Sequence, residues 1–302
     1  MIKQLLLTTA IVTLPAFTNI SSAQAPSSQE SLRVVSASNP LTQIVAALDR
    51  EELFVGLDKT SHTKPEYNKI PDVGYRIQLS TEGILSLKPD LVLLAEDSGP
   101  AMTIEQLKNS TVEIIQFAEL KDVPSIQSAV SIIADKLQRE EDGKQLNQKI
   151  AQDATDLQTL SEKNPSLNGF FVLQGGNGHG SPQISGSDTT AAKVLELLNI
   201  NNLFADDYAN YRAVTIENQM QKRPDIVLLG HTGQFDLKNG DIKEEEILPF
   251  ERQTTGMIGW PDALQPKCVF NVNMSNYLVF GIHIYEDNLK LLTAINQCLA
   301  EL

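Results

Sequence analysis

The stretch STEGILSLKPDLVLLAEDSG (Ser80–Gly99) returns as TIENQMQKRPDIVLLGHTGQ (Thr215–Gln234), 135 residues later and without a gap. Glu82 falls on Glu217, Lys88 on Arg223, Pro89-Asp90 on Pro224-Asp225, and the aliphatic run Leu91–Leu94 on Ile226–Leu229. Each copy reads as a short helix opened by a Ser or Thr cap, a Pro-Asp turn, and a strand of unbroken aliphatics. A strand without polar alternation is covered on both faces, as in a parallel sheet. A second pair, PLTQIVAALDREELFVGLD (Pro40–Asp58) and TTAAKVLELLNINNLFADD (Thr189–Asp207), repeats at an offset of 150, which sets Leu53-Phe54 on Leu203-Phe204. A chain that runs strand-helix-strand-helix-strand twice is constrained to two similar α/β lobes with mainly parallel sheets.

Between the copies, Pro124–Asn164 carries apolar residues at three-to-four spacing: Ile126, Val130, Ile133, Leu137, Leu146, Ile150, Leu157 and Leu160. The pattern predicts one long helix bridging the lobes, or two with a break near Gly143. The expected organisation is an N-terminal lobe over 26–122, a linker helix over 123–163 and a C-terminal lobe over 164–302. A helical bridge is stiff and predicts limited hinge motion about an interlobe cleft.

Residues 1–25 read as a secretory signal peptide: Lys3, the apolar run Leu5–Phe17, and cleavage after Ala23-Gln24-Ala25. The run is short for a bilayer span, and no cysteine near the cleavage point offers a lipid anchor. The expected location is the periplasm. With 24 basic against 38 acidic side chains and a net charge of −14, the surface repels phosphate backbones, which excludes nucleic acid as a partner class. Cys268 and Cys298 could pair in an oxidising compartment, but their spacing leaves that open.

The two offsets differ by 15 residues, and the extra chain falls around Thr60–Gln78, which holds Tyr67, Tyr75 and Arg76. Chain added to a fixed scaffold as loops tends to carry function. Tyr75 therefore stands where one lobe should reach into the cleft.

The arrangement resembles the periplasmic binding proteins that deliver haem, siderophores and cobalamin to ABC importers. Within them, VGYRIQLSTEGILSLKPDLVLLAEDSGP is most similar to the haem carriers of Gram-negative bacteria, whose pattern there reads Val-Gly-Tyr-x-Arg-x-Leu-Ser-x-Glu-Gly-Ile-Leu-Ser-Leu-Lys-Pro. The likeness is loose over the whole chain after residue 25 and close over Asp72–Pro100. It implies a class III fold, two lobes on one long helix, and a monomeric, non-enzymatic carrier of haem. It also implies a partner: an inner-membrane ABC permease dimer with its ATPase.

By this resemblance Tyr75 is the axial ligand of haem iron. Ferric iron favours a hard anionic oxygen, and a phenolate can ligate haem. Free tyrosine titrates near 10, so a neighbouring cation must stabilise the phenolate. The family places that arginine two residues after the tyrosine; here Ile77 holds the position and the arginine is Arg76. This departure leaves Arg76 two roles, at the phenolate or at a haem propionate. His179, in the glycine-rich GGNGHGSPQ, is the candidate second ligand, as in some relatives. Arg212, beside Tyr211 in the second lobe's counterpart segment, is a candidate for a propionate through its bidentate fork. Glu82 and Glu217 match the paired glutamates that relatives dock onto the two permease subunits; they also suit the first turn of a helix.

Of the other histidines, His231 ends the second repeat's strand, His62 lies in the extra segment, and His283 reads as a helix entry. A ferric-siderophore or cobalamin carrier of the same fold would need only aromatic and hydrogen-bonding walls. An exported hydrolase built on Ser181 lacks the Gly-x-Ser-x-Gly elbow. A zinc carrier would need closer ligand spacing than four scattered histidines offer.

Overall fold

The Pro-Asp turns explain why the same plan folds twice. In the computed structural model, which describes residues 32–173, 182–231, 250–254 and 256–302, the Asp90 carboxylate accepts the Arg33 backbone N–H at 2.8 Å. Asp225 accepts that of Asn168 at 2.9 Å. The backbone N–H groups of the two aspartates donate back to the Arg33 and Asn168 carbonyls at 2.8 and 2.7 Å. Each aspartate thereby stitches the first residues of one strand to its neighbour. Just upstream, Lys88 and Arg223 adopt left-handed φ values of 48° and 49°, which end the two short helices. Asp49 and Asn199, related by the other offset, do the same at 52° and 55°.

The first sheet contains β1 (Val34–Ala37), β2 (Phe54–Leu57), β3 (Leu91–Leu94) and β4 (Glu113–Gln116), in the order β2-β1-β3-β4 and parallel throughout. Its helices are α1 (Asn39–Ala47), α2 (Thr81–Ser86) and α3 (Ala101–Lys108). After α4 (Val123–Lys136) and α5 (Glu140–Lys163), the plan recurs as β5 (Leu167–Leu173), α6 (Thr190–Leu197), β7 (Ile200–Asn202), α7 (Ile216–Gln221), β9 (Ile226–His231) and β11 (Cys268–Asn273). The strands β7, β5, β9 and β11 form the parallel centre. Antiparallel strands extend it: β6 (Gln183–Ser185) and β8 (Tyr211–Ala213) beyond β5, and β10 (Phe250–Arg252) beyond β11. Two C-terminal helices are not repeated in the first half: the short α8 (Met274–Tyr277) leads into the long α9 (Ile284–Ala300).

The register corrects one detail of the second sequence match. Phe54 opens β2, whereas Phe204 lies beyond β7 in a turn. A 3-10 turn at Glu51–Leu53 lengthens the first copy before its strand, so Leu53-Phe54 and Leu203-Phe204 are not equivalent. Their rings pack differently too, Phe54 edge-on to Tyr67 and Phe204 edge-on to Phe170.

The bridge is α5, a single helix of 24 residues. The chain turns before it at Leu137–Arg139, where Gln138 takes φ 55°, and α4 folds back along α5. Gly143 does not break the helix. It is the point of close approach, for a Cβ there would stand 2.5 Å from that of Ala134. Asn147 donates to the Gln127 carbonyl at 3.2 Å and accepts its amide on the backbone oxygen at 2.9 Å, fixing the pair. Further along, Lys149 of α5 meets Glu286 of α9 at 2.8 Å, and the Asn164 and Asn296 side chains meet at 2.8 Å.

One continuous apolar core runs from Leu41, Ile44 and Leu57 of the first half, past Ile133 and Ile150 of the bridge, to Phe171, Phe270, Leu291 and Ile295 of the second. Leu32–Leu302 accordingly form one compact unit. The Cys268–Cys298 question is answered here: β11 and α9 bring the two Cα atoms to 6.3 Å and the sulfurs are bonded. Closing a loop of 30 residues restricts the unfolded chain by about 3–4 kcal/mol. Replacing both cysteines with alanine should lower urea-unfolding stability by about that amount; an unchanged midpoint would mean the bond contributes nothing to the fold.

Candidate functional site

Tyr75 owes its position to the residue before it. Gly74 has φ 100°, a conformation that side chains oppose, and a Cβ there would also press on the Gln78 carbonyl at 3.0 Å. The chain before the turn is stitched to β2: Leu57 donates to Pro71, Val73 to Leu57 and Lys59 to Gly74, at 2.9–3.0 Å. The Asp72 carboxylate holds the Gly74 N–H at 2.7 Å. Beyond the turn, Gln78 donates to the Tyr75 carbonyl, while Gly99 donates to Arg76 and Leu79 to Gly99. The loop is pinned at both ends next to the carboxyl ends of β1, β2 and β3, the edge where open α/β sheets take ligands. Tyr75 projects from it with 39 % of its surface exposed.

Arg76 turns back over this tyrosine. Its Cζ lies 5.6 Å from the ring centroid and its Nη1 3.5 Å from the phenol oxygen, long for a hydrogen bond but close for a cation. The guanidinium is gripped from the other side by Asp97, with Nε at 3.0 Å from both carboxylate oxygens and Nη2 at 2.6 Å from one. That bonding is the main reason the Arg76 pKa rises above its ordinary value. Beneath the loop lies a buried polar chain. Asp58 accepts from Thr60 and Ser61, and the Thr42 hydroxyl lies 2.9 Å from Ser61 Oγ and 2.8 Å from Ser36 Oγ. These groups fix the end of β1. Neither Asp97 nor this network stood out in the sequence, since an acid or serine in a loop is ordinary.

Tyr67 differs from Tyr75. It is buried against Phe54, its hydroxyl donates to Glu51, and burial followed by that carboxylate pushes its pKa up. It is a structural phenol. Arg212 is exposed on β8, its Cζ 5.4 Å from the Tyr208 ring. The Tyr208 phenol is buried without a hydrogen bond, and burial, with Asp207 adding to it, raises its pKa to about 12. His179 and Ser181 lie outside the described residues. His231 ends β9 at the carboxyl edge of the second sheet, His62 follows the 3-10 turn beside the Tyr75 loop, and His283 precedes α9 without a capping side-chain hydrogen bond.

Glu82 and Glu217 occupy the same position in α2 and α7, the second residue after a capped start. Ser80 Oγ accepts from Gly83 N–H at 3.1 Å and Thr215 Oγ1 from Asn218 N–H at 3.4 Å. Both carboxylates are exposed, and neither makes an ion pair among the described residues.

A depression of about 620 Å³ near α3, lined by polar residues such as Glu96, Glu105, Lys108 and Gln116 together with the apolar Ala101 and Ile104, does not include Tyr75. It offers no aromatic face to a flat apolar macrocycle. Among the described residues, no group of three or more His, Cys, Asp or Glu side chains is placed to hold a metal ion, and no helix is long and apolar enough to cross a membrane.

Two α/β lobes on a helical bridge, with an exposed phenol at a sheet's carboxyl edge, have the architecture of a periplasmic substrate-binding protein. The chain belongs to the periplasmic binding protein family, whose model matches residues 34–248. It is similar to the vitamin B12-binding protein of Pectobacterium atrosepticum, 24 % identical over 202 residues, covering 66 % of this chain and 71 % of that one. The apo periplasmic heme-binding protein RhuT of Roseiflexus sp. RS-1 superposes with a TM-score of 0.70 at 22 % identity, over 89 % of this chain and 99 % of its own. The heme-binding protein HutB of Vibrio cholerae gives a TM-score of 0.66 at 21 % identity, over 88 % of this chain and 99 % of its own.

Proposed function

We propose that this protein is exported to the periplasm, captures haem in the cleft between its lobes, and hands it to an ABC importer's permease and ATPase. The observation that carries the reading is the Gly74 turn, which holds an accessible phenol oxygen beside a cation at the sheet's ligand-binding edge. Ferric iron is a hard acid, and a phenolate oxygen is a hard base that suits it. Tyr75 would supply the iron ligand; Arg76 would steady the phenolate. His179 is the proposed second ligand and Arg212 the proposed propionate partner. No catalytic step is required of any of them. Likeness to both heme-binding and B12-binding proteins supports the wider cargo class, and the phenol-cation pair favours haem within it.

Hemin titration of the purified protein beside cobalamin titration tests the cargo: saturable hemin binding with a visible phenolate-to-iron charge-transfer band is expected. Cobalamin binding without any hemin spectrum would replace haem as the cargo.

Delivery needs one contact per permease half, and Glu82 and Glu217 present one carboxylate from each repeat. Reversing either charge, as Glu82→Lys or Glu217→Lys, should cut haem-dependent uptake about tenfold or more, by setting like charge against an interfacial cation. Hemin binding in solution should not change. Loss of hemin binding in Glu82→Lys would assign that residue to the fold instead.

A further inference from the structure

The arginine next to Tyr75 stands one position away from where the resemblance expects it, in a turn that the Gln78 N–H closes on the Tyr75 carbonyl. A group outside this turn holds Arg76 over its neighbour. The group that does so is Asp97, from the segment that follows β3. Its two oxygens take Nε and Nη2 of the guanidinium, leaving Nη1 as the corner that faces the Tyr75 hydroxyl. The loops are joined by backbone as well, through Gly99 N–H to the Arg76 carbonyl at 2.9 Å. The Asp97 segment is itself anchored: Gln116 donates to the Ala95 and Glu96 carbonyls, and Glu96 accepts the Glu119 N–H at 2.8 Å.

We infer that Asp97 is a positioning residue for the Tyr75 site, holding Arg76 against the phenol and so setting the direction in which the phenol oxygen is offered. The inference deepens the proposed function and rests on it for its haem readout, though the clamp is testable without haem. A guanidinium whose Nε–Nη2 edge is filled by a carboxylate keeps only its Nη1 end open, and here that end faces the phenol. Arg76 is thereby turned towards Tyr75. A carboxylate two residues before the Gly99-Pro100 step thus compensates for the shift of the arginine by one place.

Asp97→Asn removes the charge and keeps the shape; Asp97→Glu restores the charge. Two readouts apply: hydroxyl-radical footprinting of Tyr75 in the haem-free protein, and the visible spectrum of the hemin complex. Asp97→Asn should raise Tyr75 oxidation by about two- to fivefold, the population change a partly exposed ion pair sustains, and should shift the charge-transfer band. Asp97→Glu should return both towards wild type, and Arg76→Gln should reproduce the footprint change. A wild-type footprint in Asp97→Asn overturns the inference, as does a changed footprint with an unchanged hemin spectrum. Tyr75→Phe separates the two claims: if it leaves the hemin spectrum intact, the haem-ligand reading fails and the footprint alone decides the clamp.

Discussion

Tyr75→Phe should weaken hemin binding by at least about a hundredfold, since loss of an outer-shell partner alone costs up to that much and this change removes the proposed ligand itself. The charge-transfer band should vanish with it. The substitution is well controlled by the structure. The hydroxyl makes only a 3.5 Å approach to Arg76, the ring is 39 % exposed, and phenylalanine keeps the face that Arg76 covers. The turn is set by Gly74 and its hydrogen bonds, none of which involves the phenol. Folding should be unaffected, and a melting curve recorded beside the titration checks it. Hemin bound with wild-type affinity and spectrum by this variant would leave a periplasmic binding protein whose cargo is not held through Tyr75.

The largest effect on stability is expected at Phe171. It is fully buried in the core that runs through both halves, and its ring covers Gly230 of the neighbouring strand so closely that a Cβ there would meet it at 2.5 Å. Phe171→Ala removes a whole ring from a site that backbone strands on either side prevent from collapsing. The cost should be about 3–5 kcal/mol, which for a chain of this size lowers the melting temperature by roughly 10 °C. Because the core is continuous, calorimetry should record one transition moving as a whole. Two separated transitions, with only one displaced, would mean that the halves fold independently despite their shared apolar contacts.

The repeat is what made the architecture legible. Short aliphatic runs that follow a Pro-Asp turn read as buried parallel strands, and two copies at a fixed offset place the same elements in the same order. The structure bears this out down to the paired left-handed residues Lys88 and Arg223 and the paired strand stitches of Asp90 and Asp225. The bridge was legible as helix but not its turn, because Leu137-Gln138-Arg139 contains neither glycine nor proline, and Gln138 adopts its left-handed φ as α4 packs back on α5. The disulfide was a matter of distance, which only β11 and α9 decide. At the site, Val73-Gly74-Tyr75 pointed to the phenol, but the direction of Arg76 could not be read from its neighbours in the chain.

By itself, then, the order of residues determined the two-lobed α/β plan, its helical bridge and the loop that bears Tyr75. Each follows from local pattern: hydrophobic period, cap residues, and a glycine where φ must be positive. Tertiary structure alone decided that Asp97 grips Arg76, that a serine-threonine-aspartate chain underlies the loop, and that one core joins both halves. The reason is sequence distance. Asp97 stands 21 residues from Arg76, and Thr42 stands 19 from Ser61. Only the packing of strands and helices turns such separations into contacts of about three ångströms.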